Sequence, residues 1–358
     1  MTQKNNMEKT RVGVAMSGGV DSSVTAALLK GKGYDVFGVT ARTWPSDSRC
    51  CSDEDVQAAR AAAANLGIEH FVIDLMVEFE NEIVQYFAAE YARGRTPSPC
   101  AVCNPRIKFG TLLEKVLELG GSAMATGHYA RIHRQENGTF KLLRGKDQKK
   151  DQSYFLFGLS QEQLSLTMFP LGDIPKSETR RLVTYLGLQK SLAERSESQD
   201  LCFVKSGEHW KLTEAYHPAV VGEGRFIDKS GRELGRHSGV HRYTVGQRRG
   251  LGISAPRPLY VAAIDSETGD ITVAEREELM AEKMRVTDLN WICPETVKKS
   301  FSALVQIRYN HTPAPASVTL EGSDQALIVF AEPQFAVTPG QAAVIYAEDE
   351  LLGGGWIV

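Results

Sequence analysis

No stretch of this 358-residue sequence approaches the roughly 18 consecutive apolar residues that a membrane-crossing helix needs. The N-terminal segment is polar, and the apolar run after it breaks at Ser17-Gly18-Gly19, too early for a secretory h-region. The expectation is a soluble, cytoplasmic protein with no membrane partner. Charge of one sign is also missing: 41 basic against 44 acidic residues leave a net charge of −3, so any nucleic-acid partner must be met by local patches. Cysteine is scarce. Six residues (Cys50, Cys51, Cys100, Cys103, Cys202 and Cys293) in a chain this long exclude a secreted disulfide framework and leave thiols, metal ligands or redox catalysts. No internal repeat or low-complexity segment is present. With 42% hydrophobic and 24% charged residues the composition is that of a globular protein, and the length predicts two or three domains.

The first two hundred residues alternate strand-like and helix-like segments: Arg11–Ala15, Asp21–Lys32, Val36–Val39, Asp53–Leu66, His70–Asp74 and Asn81–Arg93. That alternation predicts a parallel α/β sheet. A further strand is expected at Ala123–Thr126. Arg131–Leu143 reads as a hairpin turning at Asn137-Gly138, and helices are expected near Ile107–Leu119, Gln161–Thr167 and Ser177–Leu186. Beyond Lys205 short strands with Gly, Pro and Asp turns take over: Gly224–Ile227, Leu259–Ile264, Ile271–Ala274, Phe301–Arg308, Ala316–Leu320, Ala326–Phe330 and Ala342–Tyr346. A seam is expected near Leu279–Val286, and Gly353-Gly354-Gly355 reads as a flexible or tightly turned C-terminus. The fold class is α/β plus all-β, divided as a parallel-sheet nucleotide-binding domain (1–206), a small β-rich central domain (207–280) and a β-barrel-like domain (281–358).

Between the first strand and the first helix stands Ser17-Gly18-Gly19-Val20-Asp21-Ser22-Ser23. Two glycines let the backbone wrap an anion, hydroxyls add donors, and the helix N-terminus adds partial positive charge. The alternative is a plain glycine turn. The loop has neither the lysine of a Walker A motif nor the G-x-G-x-x-G of a dinucleotide fold. It resembles the loop of the ATP pyrophosphatase superfamily, whose members adenylate a carbonyl or amide oxygen and let a nucleophile displace AMP. Ligands of open α/β sheets sit at the carboxyl ends of the strands, so this loop and Gly127-His128 are expected to face one site.

Cys100 and Cys103 form a C-x-x-C in the proline-rich run Thr96–Asn104, and Cys202 lies where a polar run turns apolar. A helix starting after Cys103 would favour its thiolate. Half a zinc site and an iron–sulfur cluster on Cys100, Cys103 and Cys202 are the competing readings, and a buried structural cysteine at 202 would look the same locally.

Eight motifs occur in the order found in the tRNA-specific 2-thiouridylase family, and the chain resembles that family over nearly its whole length. They are the phosphate loop, Gly94-Arg95-Thr96-Pro97, Cys103-Asn104 with Ile107-Lys108-Phe109, Thr126-Gly127-His128-Tyr129, Lys150–Leu156, Cys202-Phe203, Gly246–Gly252 and Pro339-Gly340-Gln341. The resemblance implies an adenine nucleotide alpha-hydrolase-like N-terminal fold and an ATP-dependent enzyme that adenylates O2 of the wobble uridine and delivers sulfur from a persulfide. By it, Ala15, Met16, Ser17, Gly18, Gly19, Val20, Asp21 and Ser22, with Ala41 and Gly127, hold ATP and its Mg2+. Cys202 carries the persulfide, Cys103 is the second nucleophile, and a Cys103–Cys202 disulfide closes each turnover. Cys100 stands where some members have an acid/base Asp, and Ala41 where others have a Met against adenine. Cys50 and Cys51 read as plain loop thiols.

Two basic stretches mark RNA contacts: seven Lys/Arg against two acids between Arg131 and Lys150, and the same balance between Arg225 and Arg249. The resemblance adds Lys150, Asp151, Gln152, Arg308, Tyr309, His128 and Gln341 as tRNA contacts. Its implied partners are tRNAs accepting lysine, glutamate or glutamine, and a cysteine desulfurase or sulfur-relay protein. Three further readings are distinguishable: a small-molecule adenylating ligase, indifferent to both cysteines; a non-catalytic RNA-binding protein, whose RNA affinity would not respond to ATP; and an iron–sulfur-dependent tRNA sulfurtransferase.

Overall fold

The run Arg11–Ala15 has no polar residue after its arginine, and its central three residues are buried, as a strand covered on both faces requires. It is the middle of the sheet. The computed structural model describes residues 10–44, 53–186, 201–204, 207–220 and 222–358, so Cys50 and Cys51 lie outside the described residues. The chain divides into two discontinuous units: 1–80, 104–153 and 159–203 form the first, and 81–103, 154–158 and 204–358 the second.

In the first unit β1 (Arg11–Ala15), β2 (Asp35–Arg42), β3 (His70–Asp74), β4 (Ala123–Ala125) and a two-residue strand at Thr167–Met168 make an all-parallel sheet. The order β3-β2-β1-β4 reverses direction at β1, with Val14 opposite Gly38 on one side and Ala125 on the other. A crevice at the carboxyl ends of β1 and β4 is therefore the topological ligand position. α1 (Val20–Gly31) and α2 (Asp53–Leu66) pack on the sheet through Val24, Ala27, Leu29, Ala59, Ala62 and Ala63, around Val12 and Val14. Burying each such valine or leucine contributes about 1.5–3 kcal/mol. Asp53, Glu54 and Asp55 in the first turn of α2 complement its dipole. The expected hairpin is present as β5 (Ala130–Arg134) and β6 (Phe140–Arg144), turning at Gly138.

The helix expected at Ile107–Leu119 is not continuous. Asn104–Leu112 is wound more loosely, Gly110 leaves helical geometry (φ −98, ψ −106), and a regular helix resumes only at Leu113–Glu118. Pro105 and Gly110, the two weakest helix formers, account for the break.

In the second unit β7 (Gly224–Ile227), β8 (Glu233–His237), β9 (Tyr260–Ile264) and β10 (Asp270–Ala274) form one sheet, with β10 and β7 parallel. Six further strands follow: β11 (Met280–Trp291), β12 (Ser300–Gln306), β13 (Ala314–Leu320), β14 (Ala326–Phe335), β15 (Ala342–Ala347) and β16 (Glu350–Ile357). Pairing of β11 with β16 closes them into a barrel around Val286, Val305, Val318, Ile328 and Ile345, which leaves no free edge. The C-terminus is neither loose nor turned: Gly353, Gly354 and Gly355 are buried in β16, where all three pair with β15 and Gly353 and Gly354 also pair with β11. A Cβ on Gly354 would fall 2.9 Å from the Phe157 ring, so the missing side chain serves packing. Among the described residues no helix is long and apolar enough to cross a membrane.

Candidate active site

The phosphate loop is laced to itself before any ligand arrives. The Ser22 hydroxyl accepts from the Ser17 N–H (3.2 Å) and donates to the Gly19 carbonyl (3.2 Å), and the Ser23 hydroxyl donates to the same carbonyl (3.0 Å). At its base the Met16 N–H donates to the Val39 carbonyl, and the Thr40 hydroxyl donates to the Met16 carbonyl, each at 2.7 Å. The Thr40 proton being committed, His70 Nε2 at 2.8 Å must be the donor to Thr40 Oγ1. Burial, reinforced by the Arg60 charge, lowers the His70 pKa and favours that neutral ring. Gly18 has φ +72, and a Cβ there would collide with the Asp55 carbonyl at the start of α2.

The second expected segment does reach this loop. Gly127, just past β4, packs so closely that a Cβ would lie 2.8 Å from Asp21 Cβ and 3.1 Å from the Ser22 nitrogen. Asp21 then gathers groups that sequence reasoning missed. Lys176 Nζ lies 2.7 Å from both of its carboxylate oxygens, and the Tyr129 hydroxyl donates to Oδ1 at 2.9 Å while standing 3.0 Å from Thr179 Oγ1. The lysine that the loop lacks is thus supplied from 155 residues further along the chain. A signal existed: Lys176 opens a helix, where the macrodipole disfavours a cation. Ala41 sits part-buried on β2 opposite Ile73.

The His128 ring meets Phe109 at a tilt and Phe169 edge-on, each ring centroid 5.7 Å away, and its Nδ1 is 2.7 Å from Thr126 Oγ1. Burial above all, then the Lys108 charge, holds it well below the ordinary histidine range, so it presents a neutral ring. Gln152 returns to the backbone, its Oε1 accepting from the Tyr129 N–H at 3.0 Å. Asp151 accepts from the Gly145 and Ser153 N–H groups and from the Ser153 hydroxyl, and burial raises its pKa. Lys150 alone of that trio is a cation.

Cys202, part-buried in the first unit, precedes a well-anchored residue. Phe203 packs edge-on against Phe79 (5.4 Å) and Trp44 (6.3 Å), which follow β3 and β2 at the same end of the sheet as the phosphate loop.

Cys100 and Cys103, also part-buried, belong to the second unit, on the short helix Pro99–Cys103. Cys103 is the last residue of that helix and the looser winding of Asn104–Leu112 follows at once, so it lies inside a helical run that starts at Pro99 and the expected helix-start rationale for its thiolate does not apply. Gln341 reaches the same segment, its amide donating to the Thr96 and Pro97 carbonyls at 3.0 and 3.1 Å. Tyr309 lies over Phe155 (4.5 Å between ring centroids), and Arg308 donates to the Phe335 carbonyl. Among the described residues no three His, Cys, Asp or Glu side chains converge to hold a metal ion.

Three family models match in series: a tRNA methyl transferase HUP domain over residues 10–206, a tRNA methyl transferase PRC-barrel domain over 214–275 and an aminomethyltransferase beta-barrel domain over 281–357. The chain is 47% identical to the tRNA-specific 2-thiouridylase MnmA of Geobacter metallireducens, with 100% of this chain and 98% of that protein covered. The proteins of the same name from Syntrophotalea carbinolica (46% identity; 96% and 97% covered) and a Synechococcus strain (47%; 97% and 94%) are similar over nearly the same span.

Proposed function

Because the chain belongs to the tRNA-specific 2-thiouridylase family, we propose that it replaces O2 of the wobble uridine of tRNA by sulfur, using ATP. It is a tRNA sulfurtransferase. The observation that carries this reading is the preformed phosphate loop, closed by Gly127 and charged by Lys176, in a chain whose Cys103 and Cys202 belong to different units. Methyl transfer, which the matching model descriptions mention, needs neither feature; thiolation needs both.

The division into 1–206, 207–280 and 281–358 assigns ATP chemistry to the first part and the tRNA grip to the other two. Ala15–Ser22, Ala41 and Gly127 bind ATP, with Lys176 shifting from Asp21 toward the phosphates. Asp21 would be the carboxylate at hand to hold a magnesium ion, which would offset the charge of the departing pyrophosphate. Uridine O2 attacks the α-phosphorus and pyrophosphate leaves. The terminal sulfur of a Cys202 persulfide adds to C2, and AMP departs with O2. The Cys103 thiolate then attacks Cys202 Sγ, releasing the transferred sulfur on C2 and forming the Cys103–Cys202 disulfide, which an external thiol reduces with two electrons. Cys100 takes the acid/base position.

A single-stranded anticodon loop presents its base at modest unstacking cost. His128, Lys150, Arg308, Tyr309 and Gln341 are the contacts for it, and Asp151 and Gln152 shape the loop that carries Lys150. Acceptors are the lysine, glutamate and glutamine tRNAs, and the sulfur comes from a cysteine desulfurase or relay protein. Incubation with ATP, magnesium, a persulfide donor and unmodified tRNA tests the reading by nucleoside mass spectrometry. It predicts 2-thiouridine with the parent protein and none with Cys202→Ser. Undiminished product in the variant overturns the persulfide role, and no product from the parent overturns thiolation.

A further inference from the structure

We infer that Gln341 is a positioning residue for the cysteine-bearing helix Pro99–Cys103, acting in the free protein before any tRNA is bound. The inference rests on the reading of Cys103 as the attacking thiol, and it gives Gln341 a task distinct from a direct RNA contact.

Four connections within the second unit carry it. The Gln341 amide commits its N–H donors to two successive carbonyls, Thr96 at 3.0 Å and Pro97 at 3.1 Å. The Thr96 N–H donates back to the Pro339 carbonyl at 2.9 Å, so both polar groups of the Thr96 backbone are held by the Pro339–Gln341 turn. Gly340 (φ +89) allows the approach: a Cβ there would stand 2.9 Å from the Thr96 carbonyl oxygen and 3.1 Å from Arg95 Cβ. Arg95, ion-paired with the buried Glu90 at 2.9 Å, also donates to the Ile357 carbonyl at 3.3 Å.

The turn itself is fixed. The Ile357 N–H donates to the Gln341 carbonyl and the Gly340 N–H to the Ile357 carbonyl, both at 2.9 Å, which ties it to the last barrel strand. The segment it holds is stiff as well. Pro97 and Pro99 have restricted backbones, Ser98 between them is buried, and the helix with Cys100 and Cys103 begins at Pro99. Loss of the Gln341 amide would leave two carbonyls without their donor and free the lead-in to Cys103, and misplacement by about 1 Å can cost on the order of a hundredfold in rate.

The test compares Gln341→Met, which keeps bulk but has no donor, with Gln341→His, which keeps a ring N–H. Three quantities are read: iodoacetamide labelling of Cys103 in the free protein, resolved from Cys100 by fragment ions; single-turnover sulfur transfer; and tRNA affinity. The inference predicts that Gln341→Met changes the Cys103 labelling rate at least threefold without tRNA or ATP. Single-turnover transfer at saturating tRNA falls about tenfold or more, and Gln341→His lies between. Unchanged Cys103 labelling with weakened tRNA binding overturns it and makes Gln341 an RNA contact alone. Should Gln341→Met not fold, Gln341→His against the parent decides by the same labelling rate. Because labelling needs neither tRNA nor ATP, its outcome is separate from that of the thiolation reading, which fails only if the parent makes no 2-thiouridine.

Discussion

The nucleotide-handling and sulfur-handling regions of this chain are built in opposite ways. Ser17–Ser23 is contiguous, hydrogen-bonded to itself and seated at the crevice where the strand order reverses, all within one unit. The two cysteines assigned to sulfur transfer are 99 positions apart in sequence and belong to different units, each held by neighbours rather than by a motif of its own: Cys202 by the Phe203 packing, Cys103 by the Thr96–Gln341 clip. Holding a polyanion requires many small donors in one tight turn, which a short stretch supplies. In the proposed cycle the two thiols act in succession, and the sequence carries them on separate stretches rather than in one motif.

Substitutions that strike one region and spare the other would sharpen this contrast. The largest effect is expected from Gly18→Ala, where a positive φ and the Asp55 carbonyl both oppose a methyl group. Pyrophosphate release should fall on the order of a hundredfold or more, while Cys103 labelling in the free protein stays at the parent rate. Lys176→Met removes charge-assisted hydrogen bonds worth about 1.5–3 kcal/mol. The kcat/KM for ATP should accordingly drop about tenfold to a hundredfold, with persulfide loading of Cys202 unchanged.

Trp44→Ala tests the other side. It removes one wall of the Phe203 packing, and single-turnover sulfur transfer should fall about tenfold with ATP affinity intact; equal losses in both would break the contrast. The smallest effect is on stability against pH. His70, His128, His209, His237 and His311 all have lowered pKa values, with burial the leading cause in each. The unfolded chain takes up protons at these rings near pH 6.5 while the folded chain resists, so stability is full above that pH and declines as pH falls through the folded values. Thermal unfolding between pH 7.5 and 5 should show a net fall in melting temperature toward acid, with the raised Asp151 carboxyl opposing the five histidines.

What was legible in the sequence follows the same division. β1, α2, β3 and β7 begin and end where periodicity and caps predicted, and the phosphate loop was readable because its residues are adjacent and their chemistry is unambiguous. Lys176 and Trp44 were not, since each reaches its place only through the folded sheet. The glycines of β16 misled because a residue without a side chain carries no alternating pattern, although the neighbouring strands fix its place. Gln341 was readable only as a family motif; its side-chain amide grips the Thr96 and Pro97 carbonyls, backbone acceptors that no side-chain pattern encodes.

In the proposed reaction Cys202 donates sulfur and Cys103 releases it. One turnover without added reductant tests it most directly. Persulfide-loaded protein is mixed with ATP, magnesium and unmodified tRNA, and 2-thiouridine is counted against the Cys103–Cys202 disulfide peptide by mass spectrometry. One disulfide is expected for each 2-thiouridine, with the reaction stopping after that single turnover. Repeated turnover without reductant, or 2-thiouridine formed with both thiols still reduced, would contradict it.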